Sequence, residues 1–444
     1  MMNALYSGVT GMQTHQVKLD VIGNNVANVN TVGYKSSNVT FSDAISQSMS
    51  GASGPSSSGR GGTNPQQIGI GVNVANINRV NTVGSLQLTG SATDLAIDGD
   101  GYFIVKSGDS EEYFFTRAGN FGVDVNGNLV SSDGYYVCGF TGGSYDNDGV
   151  YSFDTTANAE PINIFQTGDG SSSTMAPDAT EKIVLSGSLD SSLSAKGVAA
   201  DDIDTPPTEP DFSTSVYAYD NLGELHDIDI DLSKCFVDET DPDNPFTTYY
   251  YELDTGDGST VTGYLKFDGE GNIVEDDVDF PVNLTVSLDS GGGTTPSEFD
   301  LDLSNLTMNG NESNVYMSYM DGYASGEFTD FTIGGDGTIV ATYSNGQSQP
   351  IAMIGLAQFS NPAGLESIGN SLLRETPNSG TFTTAYAPGA NGTGSLVAGY
   401  LEMSNVDLSR EMTELITTQR GYQACSRIIT TADEMLQELL NLKR

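Results

Sequence analysis

Three cysteines and two histidines are the side chains of this 444-residue chain best suited to metal binding or nucleophilic chemistry, and their spacing supports neither. Cys138, Cys235 and Cys425 stand far apart with no CxxC pair, so neither a zinc site nor a full disulfide framework can be drawn from them. They read as buried or partly exposed free thiols. His15 falls on the polar side of an N-terminal helix, and His226 follows an apparent turn, Asp220-Asn221-Leu222-Gly223. Neither has a convergent partner in sequence, so both are expected to be solvated. No histidine lies near a cysteine or a Ser-centred elbow, which leaves hydrolase triads and histidine-rich metal sites without material.

Acidic turns are the remaining candidates. Asp98-Gly99-Asp100-Gly101 and Asp146-Asn147-Asp148-Gly149 offer carboxylate oxygens to calcium, but the full loop pattern, with Gly sixth and Glu twelfth, is absent from both. Asp-Gly and Asn-Gly pairs are explained by the positive φ angles of tight hairpins. Gly334-Gly335-Asp336-Gly337 matches one fragment of a calcium-binding β-roll repeat, yet that fold needs tandem copies and this fragment occurs once. Paired carboxylates are everywhere in so acidic a chain and identify no general acid and base. No catalytic, cofactor-binding or metal-ligating residue is assigned, and the expectation is a protein that is not an enzyme.

The charge is uneven. Sixteen Lys plus Arg stand against 59 Asp plus Glu, a formal charge of −43 that repels nucleic acid and anionic membrane surfaces. Residues 1–45 are neutral and residues 400–444 carry only −2, whereas residues 150–320 hold 34 acidic against four basic side chains. No window reaches the roughly 18 uninterrupted apolar residues of a spanning helix, and the N-terminus lacks a charged start followed by an apolar run. Neither membrane insertion nor a cleaved signal peptide is expected.

The near-neutral ends are where helices belong. Leu5, Val9, Met12, Leu19, Ile22, Val26 and Val29 recur at steps of three, four and seven, one apolar stripe on a helix of roughly 25 residues. Gly8, Gly11 and Gly23 weaken that helix in isolation. At the other end Leu408, Met412, Leu415, Tyr422, Ile429, Leu436 and Leu440 repeat the pattern behind Asp407, which is suited to cap the helix. Each stripe is too narrow to be stable alone, so the two are expected to pair and to meet copies from neighbouring subunits. Residues 46–62 hold twelve Ser or Gly in seventeen positions and read as a flexible or induced-order arm. The middle alternates and turns as strands do, with hairpin turns at Asn126-Gly127, Asp336-Gly337 and Asn345-Gly346. Breaks fall at 166–180, 201–211, 289–297 and 377–395, and a β-domain inserted within a β-domain would explain the first and third.

The segment Leu5–Lys35 resembles the N-terminal signature of bacterial flagellar axial proteins, the family of rod, hook and hook-associated subunits. Its most specific part is Asn24, Asn25, Ala27, Asn28, Asn30, Thr31, Gly33, Tyr34 and Lys35. Read physically, this motif is a helix exit: Asn amides compete for backbone groups, and Gly33 lets the chain reverse. Met403–Arg444 is similar to the family's C-terminal helix, with Cys425 where a small polar residue or Ala is common. Gly84–Val105 and Thr116–Phe121 are similar to the β-domain shared by hook and distal-rod proteins, and Tyr343–Gly380 to hook proteins in particular. Residues 145–320 resemble the hook's outer domain loosely, through Val216–Leu232. About 170 residues separate the halves of the β-domain, and this length favours hook over the usually shorter distal rod.

The resemblance implies a mainly β protein with α-helical termini that pair as a coiled coil, followed outward by an extended arm and two β-rich domains. Residues 1–33 and 402–444 would line a tube, 34–90 and 394–401 form the connecting arm, 91–165 and 318–393 an inner β-domain, and 166–317 an outer one inserted in it. It implies a structural subunit of a curved, hollow helical homopolymer that transmits motor torque to the filament, with no cofactor. Its partners would be itself, the distal rod, the hook cap, the hook-filament junction protein and the type III export apparatus. The place implied is the hook and basal body, outside the cell after type III export. A distal-rod or other axial subunit is the alternative; the Ser/Gly arm is similar to an extra rod segment. A calcium-binding acidic surface adhesin is a rival that a calcium-dependent melting shift would reveal.

Overall fold

The computed structural model describes residues 2–54, 59, 61–108, 112–145, 151–165, 174–196, 209–238, 245–255, 260–274, 281–288 and 296–442. The acidic turn at 146–149, part of the Ser/Gly arm and most of the breaks at 166–180, 201–211 and 289–297 lie outside these residues. The chain is mainly β-structure between two terminal helices, α1 (Met2–Ala27) and α2 (Leu408–Leu442). It divides into two units. The first comprises Met1–Ser172, Phe331–Ala341 and Gln349–Arg444; the second, inserted in its sequence, comprises Ser173–Asp330 and Thr342–Ser348.

In the first unit α1 gives way to a strand, Ser37–Asp43, that pairs antiparallel with Val72–Arg79. Two short ladders then join segments far apart in sequence: Leu86–Leu88 with Tyr400–Glu402, and Leu95–Asp98 with Ser395–Ala398. A sheet follows in which Tyr136–Phe140, Tyr102–Lys106, Tyr113–Thr116, Leu372–Arg374 and Glu366–Gly369 lie side by side. Its core gathers Tyr102, Ile104, Phe115, Cys138, Phe140 and Phe359, with the Phe115 and Phe359 rings edge to face at 4.7 Å. The hairpin turns marked by Asn-Gly and Asp-Gly close at Gly127 (φ +85°) and Gly337 (φ +81°).

The Ser/Gly arm departs from expectation. Ser46–Ser50 pairs antiparallel with Gln66–Gly69, and a further bridge joins Ser53 to Thr63. Every residue of both strands is exposed. Composition correctly forbids burial here, but backbone ladder hydrogen bonds do not require an apolar side chain, so the segment forms a hairpin without a core.

The second unit has two four-stranded sheets. One orders Asn283–Leu288, Ser297–Asn309, Lys182–Asp190 and Asn314–Met320; the other orders Phe212–Tyr219, Leu225–Asp238, Phe246–Asp254 and Thr260–Phe267. One apolar cluster draws on both, including Ile183, Val216, Tyr249, Leu265, Phe267 and Phe299. Alternation sorts the charges: along Ser297–Asn309 the buried Phe299, Leu301 and Leu303 interleave with Glu298, Asp300 and Asp302. At about 1.5–3 kcal/mol per fully buried large apolar side chain, such a core holds an acidic surface together. Tyr249 donates its hydroxyl to the Asp190 carbonyl at 2.7 Å, and burial raises its pKa.

Candidate functional site

The first unit has a helical pair at its chain ends. The early part of α1 meets the late part of α2, so the two run antiparallel. A Cβ on Gly8 would sit 3.1 Å from Ile429, one on Gly11 2.8 Å from Cys425 Sγ, and one on Gly421 2.8 Å from the His15 ring. Further along, Lys18 pairs with Glu414 at 3.2 Å, and Asn25 donates to Glu411 at 3.3 Å. Gly8, Gly11, Thr14, Ile22 and Asn25 are the buried residues of α1, a seam of mostly small side chains that lets the backbones approach closely. Asp407 caps α2: its Oδ1 accepts from the backbone N–H of Ser409 at 2.9 Å and of Arg410 at 3.3 Å.

The apolar stripe is only partly used by this pairing. Of its residues Ile22 is buried, while Leu5, Met12, Leu19, Val26, Leu415, Tyr422 and Ile429 are half-buried. Val9, Leu408, Met412 and Leu436 are exposed, as are Tyr6, Ile416, Ile428 and Leu440, the last at 68%. Sequence periodicity overlooked the glycine seam because it ranks apolar side chains and scores glycine as a weakness. His15 also departs from expectation: it is half-buried between Gly421 and the Phe41 ring, whose centroid is 5.7 Å away. Its Nδ1 has no hydrogen-bond partner among the described residues. Burial first, then the Lys18 charge, lower its pKa. The three cysteines are free, Cys138 and Cys235 buried and Cys425 half-buried.

The Asn-rich motif forms the helix exit. Asn25 is almost fully buried; its Oδ1 accepts from the Ser37 N–H at 2.9 Å and from the Tyr34 hydroxyl at 3.3 Å, and its Nδ2 donates to the Ser37 carbonyl at 2.8 Å. Asn28 donates to the Asn24 carbonyl at 2.9 Å and accepts from Thr31 at 3.0 Å, while Asn24 donates to the Tyr34 hydroxyl. Asn30 is exposed. Gly33 has φ +68°, and a Cβ there would lie 2.6 Å from the Ala118 backbone nitrogen, so both conformation and space require glycine.

Below this exit lies an ion cluster that sequence inspection did not predict. Glu402, fully buried, accepts from Lys35 Nζ at 2.5 Å and from Arg117 Nη1 at 3.2 Å. It also takes the Gly84 N–H at 2.8 Å, and its own carbonyl receives the Gly33 N–H at 2.8 Å. Lys35 donates in addition to the Thr82 carbonyl, and Arg117 to the Gly99 carbonyl while its guanidinium lies 5.2 Å from the centre of the Tyr102 ring. Burial lowers the Lys35 pKa, against the pull of Glu402. One carboxylate thus ties the helix exit, the arm, the β-sheet and the strand leading into α2. Its partners lie hundreds of residues away along the chain, so no spacing reveals it.

This arrangement has the chemistry of an attachment surface: apolar helix faces left open, on a base fixed by buried charge. Among the described residues no helix is long and apolar enough to cross a membrane. Segments of the chain match four families. Residues 5–35 match "Flagella basal body rod protein", 96–171 "Flagellar hook protein FlgE/F/G D1 domain", 188–323 "Flagellar basal body protein FlaE D2 domain", and 397–442 "Flagellar basal body rod FlgEFG protein C-terminal". Over the whole of both chains it is 36% identical to the flagellar hook protein FlgE of Treponema pallidum and 35% to that of Borreliella burgdorferi. It is 32% identical, again over the whole of both, to the flagellar basal-body rod protein FlgG of Bacillus subtilis. The solved Helicobacter pylori flagellar hook protein FlgE2 is 17% identical, covering 71% of this chain and all of its own, with a TM-score of 0.46. On full-length identity to proteins of this kind and on the matched segments at both ends, the chain belongs to the family of bacterial flagellar hook and basal-body rod proteins.

Proposed function

We propose that this chain is a structural subunit of the bacterial flagellar hook, polymerising head to tail into a curved hollow tube that transmits motor torque to the filament. The observation that carries the assembly mechanism is the helical pair, closed by Gly8, Gly11 and Thr14, with Val9, Leu408, Met412 and Leu436 left exposed. A highly charged chain that keeps an apolar surface open on its near-neutral ends has a surface for more of itself. Leu5, Val9, Met12, Leu19, Val26, Leu408, Met412, Leu415, Tyr422, Ile429 and Leu436 form the assembly surface, Ile22 being buried within the chain, and the exit motif sets the angle at which the helices leave the β-structure.

The role is mechanical and involves no catalysis. Helices line the tube, and repulsion among the 34 acidic side chains of residues 150–320 keeps contacts between neighbouring insertions loose enough to slide as the tube bends. The subunit passes through the flagellar type III export apparatus and grows beneath a cap, between the distal rod and the hook-filament junction protein. A distal-rod role is the second reading, favoured by the full-length match to a rod protein. Electron microscopy of the purified chain under polymerising conditions separates them: curved hollow tubes are expected, whereas straight tubes would move the chain to the rod.

A further inference from the structure

We propose that Asp220, Glu224 and His226 form a binding site for a divalent transition-metal cation, zinc first among them. The three lie around the hairpin turn that joins Phe212–Tyr219 to Leu225–Asp238, within the second unit. One ligand-type atom from each lies within 4.8 Å of the other two, the only such group of three or more among the described residues. The inference does not depend on the assembly reading.

The turn prepares the first ligand. Asp220 is fully buried, and its Oδ1 accepts the backbone N–H groups of Leu222 at 2.9 Å and Glu224 at 2.8 Å. The loop closes with the Gly223 N–H on the Asp220 carbonyl at 3.0 Å, Gly223 having φ +79°. With Oδ1 committed, the carboxylate plane is fixed and Oδ2 faces His226 Nε2 at 3.4 Å. His226 reaches this position because the ladder sets it opposite Ala218. Its expected solvation is therefore corrected: in sequence the two residues are six apart, and the hairpin folds one onto the other.

This contact is a long hydrogen bond in the metal-free chain, and the same separation suits two ligands of one ion. Two ligands of one tetrahedral ion, each about 2.0–2.1 Å from it, lie about 3.4 Å apart. Glu224 is exposed and can swing in as a third ligand, leaving a fourth position to water. An imidazole nitrogen beside two carboxylates suits zinc and its neighbours better than calcium or magnesium, which favour all-oxygen shells. The acidic surroundings raise the local concentration of any divalent cation, so diffuse carboxylate binding must be separated from the site.

Calorimetric titration of the full chain with ZnCl2, in excess MgCl2 to saturate diffuse carboxylates, tests this. One saturable site per chain is expected, weakened about tenfold or more in His226→Ala and several-fold in Glu224→Gln, with unchanged circular dichroism. No saturable site, or one indifferent to His226→Ala, overturns the proposal. If alanine at 226 disturbs the hairpin, the exposed Glu224 decides: weaker zinc binding in Glu224→Gln supports the site, and unchanged binding overturns it.

Discussion

The helical ends and the inserted acidic unit handle apolar side chains in opposite ways. In the insertion most large ones face inward, so that Leu265, Phe267, Tyr249 and Phe299 share one core and the acids stand outside, with Leu222, Tyr316 and Tyr319 left exposed. In the helical pair the residues turned inward are small, Gly8, Gly11 and Thr14, while Tyr6, Ile416 and Leu440 stay more than half exposed. The first arrangement completes itself within one chain. The second leaves burial for a neighbour, so the insertion's stability belongs to the monomer and that of the helices to the assembly.

The strongest way to break this contrast is at the junction. Glu402→Ala leaves Lys35 and Arg117 buried without their counter-charge, and a loss of about 3–5 kcal/mol is expected. Urea unfolding of the first unit should move to lower concentration while the transition of the second stays in place. Next comes a core truncation. Leu265→Ala should cost about 2–5 kcal/mol in the insertion, read as a lower Tm, yet tubes should still form well below that Tm. If it abolished tubes while the chain remained folded, assembly would depend on the insertion rather than on the helices.

The smallest effect sharpens the comparison through pH. His15 has a pKa below its ordinary value of 6.5 in the folded pair, so the unfolded chain takes up the proton first. Stability of the pair is then full above that ordinary value and declines as pH falls through it toward the lowered one. Helical circular dichroism followed from pH 7.5 to 5 should show a lower melting temperature at the acid end, and His15→Phe should flatten the trend.

What the sequence revealed follows from what is local. The α1 stripe marked a helix close to Met2–Ala27, Asp407 was recognisable as a cap, and the Asn cluster with Gly33 announced the exit. Alternation around Asn-Gly and Asp-Gly turns identified the β-structure. Two features were out of reach for different reasons. The Lys35, Arg117 and Glu402 cluster joins residues up to 367 positions apart, which only the fold brings together. The glycine seam was local but carried the wrong sign, since spacing that weakens an isolated helix strengthens a close pair. His226 beside Asp220 was missed although it is close in sequence, because the ladder that sets residue 226 against 218 is centred on Leu222 rather than on the Asn221-Leu222 pair.

The most direct test of the central claim is Leu436→Asp, a charge placed on an exposed apolar position of α2. The monomer should keep its β-structure, with the helical pair losing about 0.5–3 kcal/mol, because Leu436 is partly covered at 37% exposure. Electron microscopy under conditions that polymerise the unaltered chain should find no tubes, since assembly would bury that charge. Normal tubes from Leu436→Asp would contradict the account.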